Sequence, residues 1–135
     1  MSGRIDLGSP ALLEFWTERH LCTLTTLRAD GSPHVVAVGA TLDPANGLAR
    51  VITRGTSAKV RHVLAGATRV AICQVDGPRC STIEGTAVIR RDRPSVAEAE
   101  QRYAARYRVP RPNPERVVIE VTVTGVLGSN TLTGS

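Results

Sequence analysis

Tight turns punctuate this chain at short intervals, and the runs between them alternate. Cys22-Thr-Leu-Thr-Thr-Leu27 is followed by the turn Asp30-Gly-Ser-Pro33 and then by His34-Val-Val-Ala-Val38. Asp43-Pro-Ala-Asn-Gly47 precedes an apolar run at residues 48–53, and Asp76-Gly-Pro78 separates residues 69–75 from residues 80–90. β-Branched, alternating runs bounded by Gly, Pro and Asp predict strands. A sixth strand is predicted at 117–127, after the Pro-rich linker at 110–114. Turns this short leave no room for crossovers, so the strands should pair antiparallel. Six such strands can close into a small barrel and leave few exposed edges.

Three helical segments interrupt the strands. Residues 9–19 open with Ser9 as a potential cap and Pro10 in the first turn, and carry Leu12, Leu13, Phe15 and Trp16 on one face. Residues 58–64 follow Ser57, a second potential cap, and stop at Gly66. Residues 94–108 place Tyr103 and Tyr107 one turn apart. The expected class is therefore mainly β, a six-stranded antiparallel barrel with short flanking helices.

At 135 residues, 41% of them apolar, the chain is expected to be a single domain over 1–135, with flexible ends at 1–8 and 128–135. No apolar run approaches the roughly 18–20 residues that span a bilayer, so no membrane association is expected. Residues 1–10 carry Arg4 and Asp6 and lack the apolar stretch of a secretory signal. Cys22, Cys73 and Cys80 are an odd set without CxxC spacing and read as reduced, mostly buried thiols of a cytoplasmic protein. No metal site is expected from three histidines without paired cysteines.

Charge is where the sequence points to function. The net charge is +5, and Lys59 is the only lysine among 17 basic residues. Between Asp43 and Asp76 there is no acidic residue, while Arg50, Arg54, Lys59, Arg61 and Arg69 fall in that window. The window holds a strand end, the turn Gly55-Thr-Ser57 and a helix start, whose free N–H groups suit an anion. Thr53, Thr56 and Ser57 can add hydroxyl donors; Lys59 offers a point charge and Arg61 a planar fork. A solvated basic face with Ser57 as a simple cap accounts for the same residues.

Other candidates are less defined. His34 at a strand start can hydrogen-bond a ligand edge or serve the fold. Gln74 and Arg79 flank the turn at 76–78, from which either could reach a bound heterocycle. The small residues of Val36-Ala-Val-Gly39 would let backbone approach a flat ring, or simply pack in a sheet. Arg102, Arg106, Arg108, Arg111 and Arg116 form a second basic cluster. No Gly-x-Ser-x-Gly, GxGxxG or Walker A pattern is present, so no catalytic side chain is assigned and a cofactor would do the chemistry. All four aromatics fall in predicted helices, which leaves no stacking platform for nucleic acid on the strands.

The runs Leu24 to Val38, Val51-Ile-Thr53, Ser57-Ala-Lys-Val-Arg61 and Arg69-Val-Ala-Ile72 resemble the pyridoxamine 5′-phosphate oxidase-like, flavin-binding split β-barrel proteins. Cys73-Gln-Val-Asp-Gly77, Glu84-Gly85, Tyr103-Ala-Ala-Arg-Tyr107 and the run from Pro110 to Glu120 are similar to the F420-dependent branch of that family. The resemblance implies a homodimer that binds coenzyme F420, with FMN as the alternative, in a groove at the subunit interface. His34, Val35, Val36, Ala37 and Val38 would line the ring. Thr53, Ser57, Lys59 and Arg61 would hold the phosphate and acidic tail, with Ile52, Val60 and Gln74 completing the cofactor site. Hydride would pass to an organic acceptor, a linear tetrapyrrole such as biliverdin being expected, with Arg79, Arg106 and Arg111 as partners for its carboxylates. An FMN-dependent oxidoreductase or a non-catalytic cofactor binder of the same fold are the alternatives. Pyridoxamine phosphate oxidases proper are longer, so oxidation of that substrate is not expected.

Overall fold

The alternation read from the sequence becomes a curled antiparallel sheet. The computed structural model describes residues 2–4, 6–129 and 132. In chain order the elements are β1 (Ser2–Arg4), α1 (Pro10–Thr17), β2 (Cys22–Leu27), β3 (Pro33–Val38), β4 (Ala40–Asp43), β5 (Leu48–Arg54), α2 (Ala58–Leu64), β6 (Arg69–Asp76), β7 (Arg79–Arg90), α3 (Arg93–Arg106) and β8 (Arg116–Ser129). The strand order is β3-β2-β6-β7-β8-β5-β4, with β1 added to β8. Gly39 is the only residue between β3 and β4, which end opposite edges of that path. One residue cannot bridge a flat seven-stranded sheet. The sheet must therefore curl until its edges meet at Gly39.

Seven strands thus form the continuous path, against the six expected. The addition is β4, where Ala40, Thr41 and Asp43 are all buried; without an alternating pattern it carried no strand signal. Of the expected flexible ends, residues 2–4 form β1 and pair with Ser129 to Leu127 of β8. Residues 1, 5, 130–131 and 133–135 lie outside the described set.

Leu12, Phe15, Leu24, Ile72, Ile83, Ile119 and Val121 fill the interior, each fully buried. Trp16 joins them and donates from Nε1 to Ser81 Oγ at 3.0 Å, which satisfies its one polar atom. Neither expected cap forms a side-chain capping bond. The Ser9 hydroxyl instead donates to the Leu132 carbonyl at 2.9 Å. All three cysteines are free, and only Cys22 is buried.

Where α1 ends, Glu18 gathers partners. Arg79 donates to both its oxygens at 2.9 and 2.8 Å and to Asp76 at 2.6 Å, and His20 lies 2.9 Å from Glu18 Oε1. The Glu18–His20–Asp76 group is thus an ion-pair network organised by Arg79. Hydrogen bonds from Arg79 and His20 hold the Glu18 carboxyl at about 2, well below its ordinary 4.5. As pH falls, the unfolded chain takes up this proton first. The stabilisation is therefore complete above about pH 4.5 and is lost towards pH 2. Melting temperatures from pH 2 to 6 should show Glu18→Gln below wild type at pH 6 and level with it at pH 2. A gap that is constant across that range would contradict this.

Candidate functional site

Where the two edges of the sheet meet, a cleft of about 570 Å³ opens. Ala37, Val38 and Gly39 form one wall; Ile52 and Thr53 at the end of β5, with Arg54, Thr56, Ser57 and Lys59, form the second. Tyr103 of α3 and the following segment, with Arg108, Pro110, Arg111, Asn113 and Arg116, form the third. The size suits a small molecule or cofactor.

Gly39 is required by packing. A Cβ there would stand 2.8 Å from Tyr103 Cε2 and 3.2 Å from Tyr107 Cε2. The two rings, 4.9 Å apart between centroids, rest directly on the backbone. Tyr107 fastens that backbone: its hydroxyl donates to the His20 carbonyl at 2.6 Å and accepts from Ala40 N at 3.2 Å. Burial pushes its pKa up to about 12, so it stays protonated.

The electrostatics of the cleft are one-sided. Elsewhere four arginines are matched, Arg50 with Asp43, Arg79 with Glu18, Arg90 with Glu120, and Arg102 with Asp43 and Glu98, while Arg19, Arg28 and Arg93 stand singly on the surface without an ion pair to a described residue. Around the cleft Arg116 is matched, with Glu100 at 2.6 Å. Arg54, Lys59, Arg108 and Arg111 make no ion pair with any described residue. Burial lowers the pKa of Lys59, the direction expected of an ammonium desolvated without a counter-charge. The Thr53 hydroxyl donates to Ser57 Oγ at 3.3 Å, which leaves the Ser57 proton available to a ligand. α2 has seven residues, so the positive field comes mainly from side chains and little from a helix dipole. An anionic group at this end and a flat body against Ala37–Gly39 match the walls.

Of the residues singled out from sequence, Ala37, Val38, Ile52, Thr53, Ser57, Lys59 and Arg111 meet at this cleft. The run from His34 to Val38 is divided by the strand's period of two, and only its end reaches the cleft. Val35 is exposed on the outer face, and Val36 packs against the core. His34 makes an edge contact with His62, centroids 5.1 Å apart, and its buried Nδ1 has no partner among the described residues. Val60 is wholly buried because it faces the core from α2. Arg61 lies outside the cleft but braces its loop, donating to the Thr56 carbonyl at 2.6 Å.

Gln74, Arg79 and Arg106 are not brought to the cleft. Arg79 serves the Glu18 network. Arg106 is buried and donates to the Glu18 carbonyl at 2.8 Å, to the Ala40 carbonyl at 2.6 Å and to Gln74 Oε1. Gln74 in turn donates to the Phe15 carbonyl at 2.9 Å. The Arg106 guanidinium carbon lies 5.3 and 5.1 Å from the Trp16 and Tyr107 ring centroids, which completes the enclosure of the cation. Sequence reasoning missed Gly39 and Tyr103 as neighbours at the site. The Val36-Ala-Val-Gly39 run and the tyrosine pair were visible, but nothing local joined them.

Residues 9–130 match the pyridoxamine 5′-phosphate oxidase family. The chain is 57% identical over 117 residues to the F420H(2)-dependent biliverdin reductase of Mycobacterium tuberculosis (strain CDC 1551 / Oshkosh), covering 87% of this chain and 85% of that protein. Among solved structures, one described as an F420 reductase superposes with a TM-score of 0.68 at 27% identity, covering 88% of this chain and 95% of that one. A conserved hypothetical protein of M. tuberculosis superposes with a TM-score of 0.76 at 20% identity, covering 89% and 82%, and shares the fold.

Proposed function

The chain belongs to the pyridoxamine 5′-phosphate oxidase family, and on that premise we propose that it is an F420-dependent reductase whose acceptor is a linear tetrapyrrole, biliverdin. The observation that carries this reading is the set of unmatched cations around the cleft. Coenzyme F420 bears a phosphodiester and an acidic tail; FMN carries a single phosphate. Arg54, Lys59, Arg108 and Arg111 supply more positive charge than one phosphate would call for. The 57% identity to a biliverdin reductase supports the same cofactor and acceptor class.

When bound, the reduced deazaflavin supplies hydride. The chain's own residues bind and orient. Thr53, Ser57 and Lys59 hold the phosphate. Arg54, Arg108 and Arg111 meet the acidic tail and the acceptor's carboxylates. Ala37, Val38 and Gly39 present a narrow, largely backbone wall to the ring, with Tyr103 packed against Gly39 beside it. The reading includes a homodimer with the groove completed by the second subunit. Leu27, Val35 and Val75, all exposed, share the outer face of β2, β3 and β6 by register and strand parity; this apolar face supports such pairing.

Titration of F420 fluorescence tests the assignment. Lys59→Ala is expected to weaken binding about tenfold or more, since charge-assisted hydrogen bonds contribute about 1.5–3 kcal/mol. Arg90→Ala removes a cation paired with Glu120 outside the cleft and should bind as wild type does. Equal affinities for the two variants would remove the anion site from this end of the cleft.

A further inference from the structure

Reduction by hydride leaves a proton to be delivered, and the cleft offers few groups able to release one. Among its lining residues, the only side chains other than arginine that exchange protons in an ordinary pH range are Lys59 and Tyr103. Among the described residues of this chain, no carboxylate, histidine or cysteine lines it. Serine and threonine hydroxyls are too weakly acidic, and guanidinium does not release its proton in proteins.

The two candidates stand at different places. Lys59 belongs to the wall formed by the loop after β5, with Thr53 and Ser57 beside it. Tyr103 lies against Gly39, at the ring wall, with its Cε2 in contact range of any Cβ placed there. The tyrosine pair also divides its labour. The Tyr107 hydroxyl is engaged with His20 and Ala40 backbone groups. The Tyr103 hydroxyl, on a partly exposed side chain that lines the cleft, has no hydrogen-bond partner among the described residues. A donor left open in this cleft is a donor for whatever occupies it.

We propose that Tyr103 is the acid of the reaction: its hydroxyl gives the proton that accompanies hydride transfer to the acceptor. The inference rests on the F420-dependent reading above. As the acceptor carbon gains hydride from the reduced deazaflavin, a new C–H bond forms and the acceptor π bond breaks. The released electron pair goes to an acceptor nitrogen, which takes the proton from Tyr103 Oη. The acceptor is reduced by two electrons, the deazaflavin is oxidised by two, and the phenolate regains its proton from solvent. Arg108 and Arg111 line the same cleft. Positioned side-chain acids contribute typically 10²–10⁴-fold.

The test compares Tyr103→Phe, Tyr103→Ala and Arg90→Ala with wild type, using F420 affinity by fluorescence and steady-state reduction of biliverdin. Tyr103→Phe keeps the ring against Gly39. It should bind F420 within about twofold of wild type, keep KM, and lose about 100-fold in kcat. Tyr103→Ala should lose affinity as well. Arg90→Ala, which removes a cation paired with Glu120 outside the cleft, should keep both affinity and kcat near wild type. A Tyr103→Phe enzyme with wild-type kcat, or one that loses kcat only in proportion to a loss of F420 affinity, overturns the assignment. A wild-type protein that fails to bind F420 overturns the underlying reading, and this inference with it.

Discussion

Gly85→Ala is expected to destabilise the protein by about 3 kcal/mol, at the upper end of ordinary overpacking costs. A Cβ at Gly85 would lie 2.2 Å from the Thr122 carbonyl oxygen and 2.6 Å from Val121 Cγ1. The first of these is backbone in a neighbouring strand, so no rotamer change relieves it. The register explains the crowding. Glu84 pairs with Gly125 but Gly85 pairs with Val123, so the ladder between β7 and β8 shifts between those two residues. Such a bulge tightens the local twist and draws the strands together. In a domain of this length 3 kcal/mol corresponds to a melting temperature lower by roughly 10 °C. Unchanged melting would mean that the β7–β8 ladder relaxes freely around residue 85.

Arg106→Met should be of similar size and should reach the cleft. Arg106 is a buried cation with no carboxylate partner; its donors go to Glu18, Ala40 and Gln74. Methionine fills part of the volume and removes one donor from each of three acceptors; the Ala40 carbonyl keeps the Tyr107 hydroxyl and Gln74 Oε1 keeps the Cys22 thiol. Removing one partner of a buried hydrogen bond costs about 1–3 kcal/mol, so a total of about 3 kcal/mol is expected. Gln74 keeps its bond to the Phe15 carbonyl. Arg106→Met combined with Gln74→Leu should recover part of the loss, because an apolar pair leaves fewer orphaned groups than a broken polar one. Ala40 follows Gly39 directly, so loosening its carbonyl should also weaken F420 binding several-fold. Additive losses in the double variant, measured by urea unfolding, would show that Arg106 and Gln74 do not act as a unit.

Local chemistry made most of the fold legible. Asp30-Gly31, Asn46-Gly47 and Asp76-Gly77 mark three turns, and Gly31, Gly47 and Gly77 have φ of 84°, 65° and 59°, where glycine meets no Cβ penalty. Gly66 ends α2 at φ 108°. β4 was hidden because buried residues follow one another there without alternation. The site was legible where its residues are neighbours in sequence: Thr53, Ser57 and Lys59 announce themselves as a basic, hydroxyl-rich, acid-free stretch.

Long-range partnership was not legible. Arg106 and Arg111 belong to one run of basic residues, yet Arg106 turns into the core and Arg111 lines the cleft. Helix α3 ends at Arg106, and its inward face is set by packing on Trp16 and Gln74, both distant in sequence. Gly39 and Tyr103 are likewise joined only by the curl of the sheet. The unmatched state of the cleft cations depends on where every carboxylate lands, so a count of charges along the chain could not reveal it.

A cleft built for a polyanionic deazaflavin should discriminate between cofactors by charge. The most direct test is the wild-type arm of the binding titration, with F420 and FMN compared side by side under the same salt. Saturable F420 binding is expected, clearly tighter than FMN binding and weakening as salt screens the Arg54, Lys59, Arg108 and Arg111 cations. Tight FMN binding with no response to F420 would contradict it.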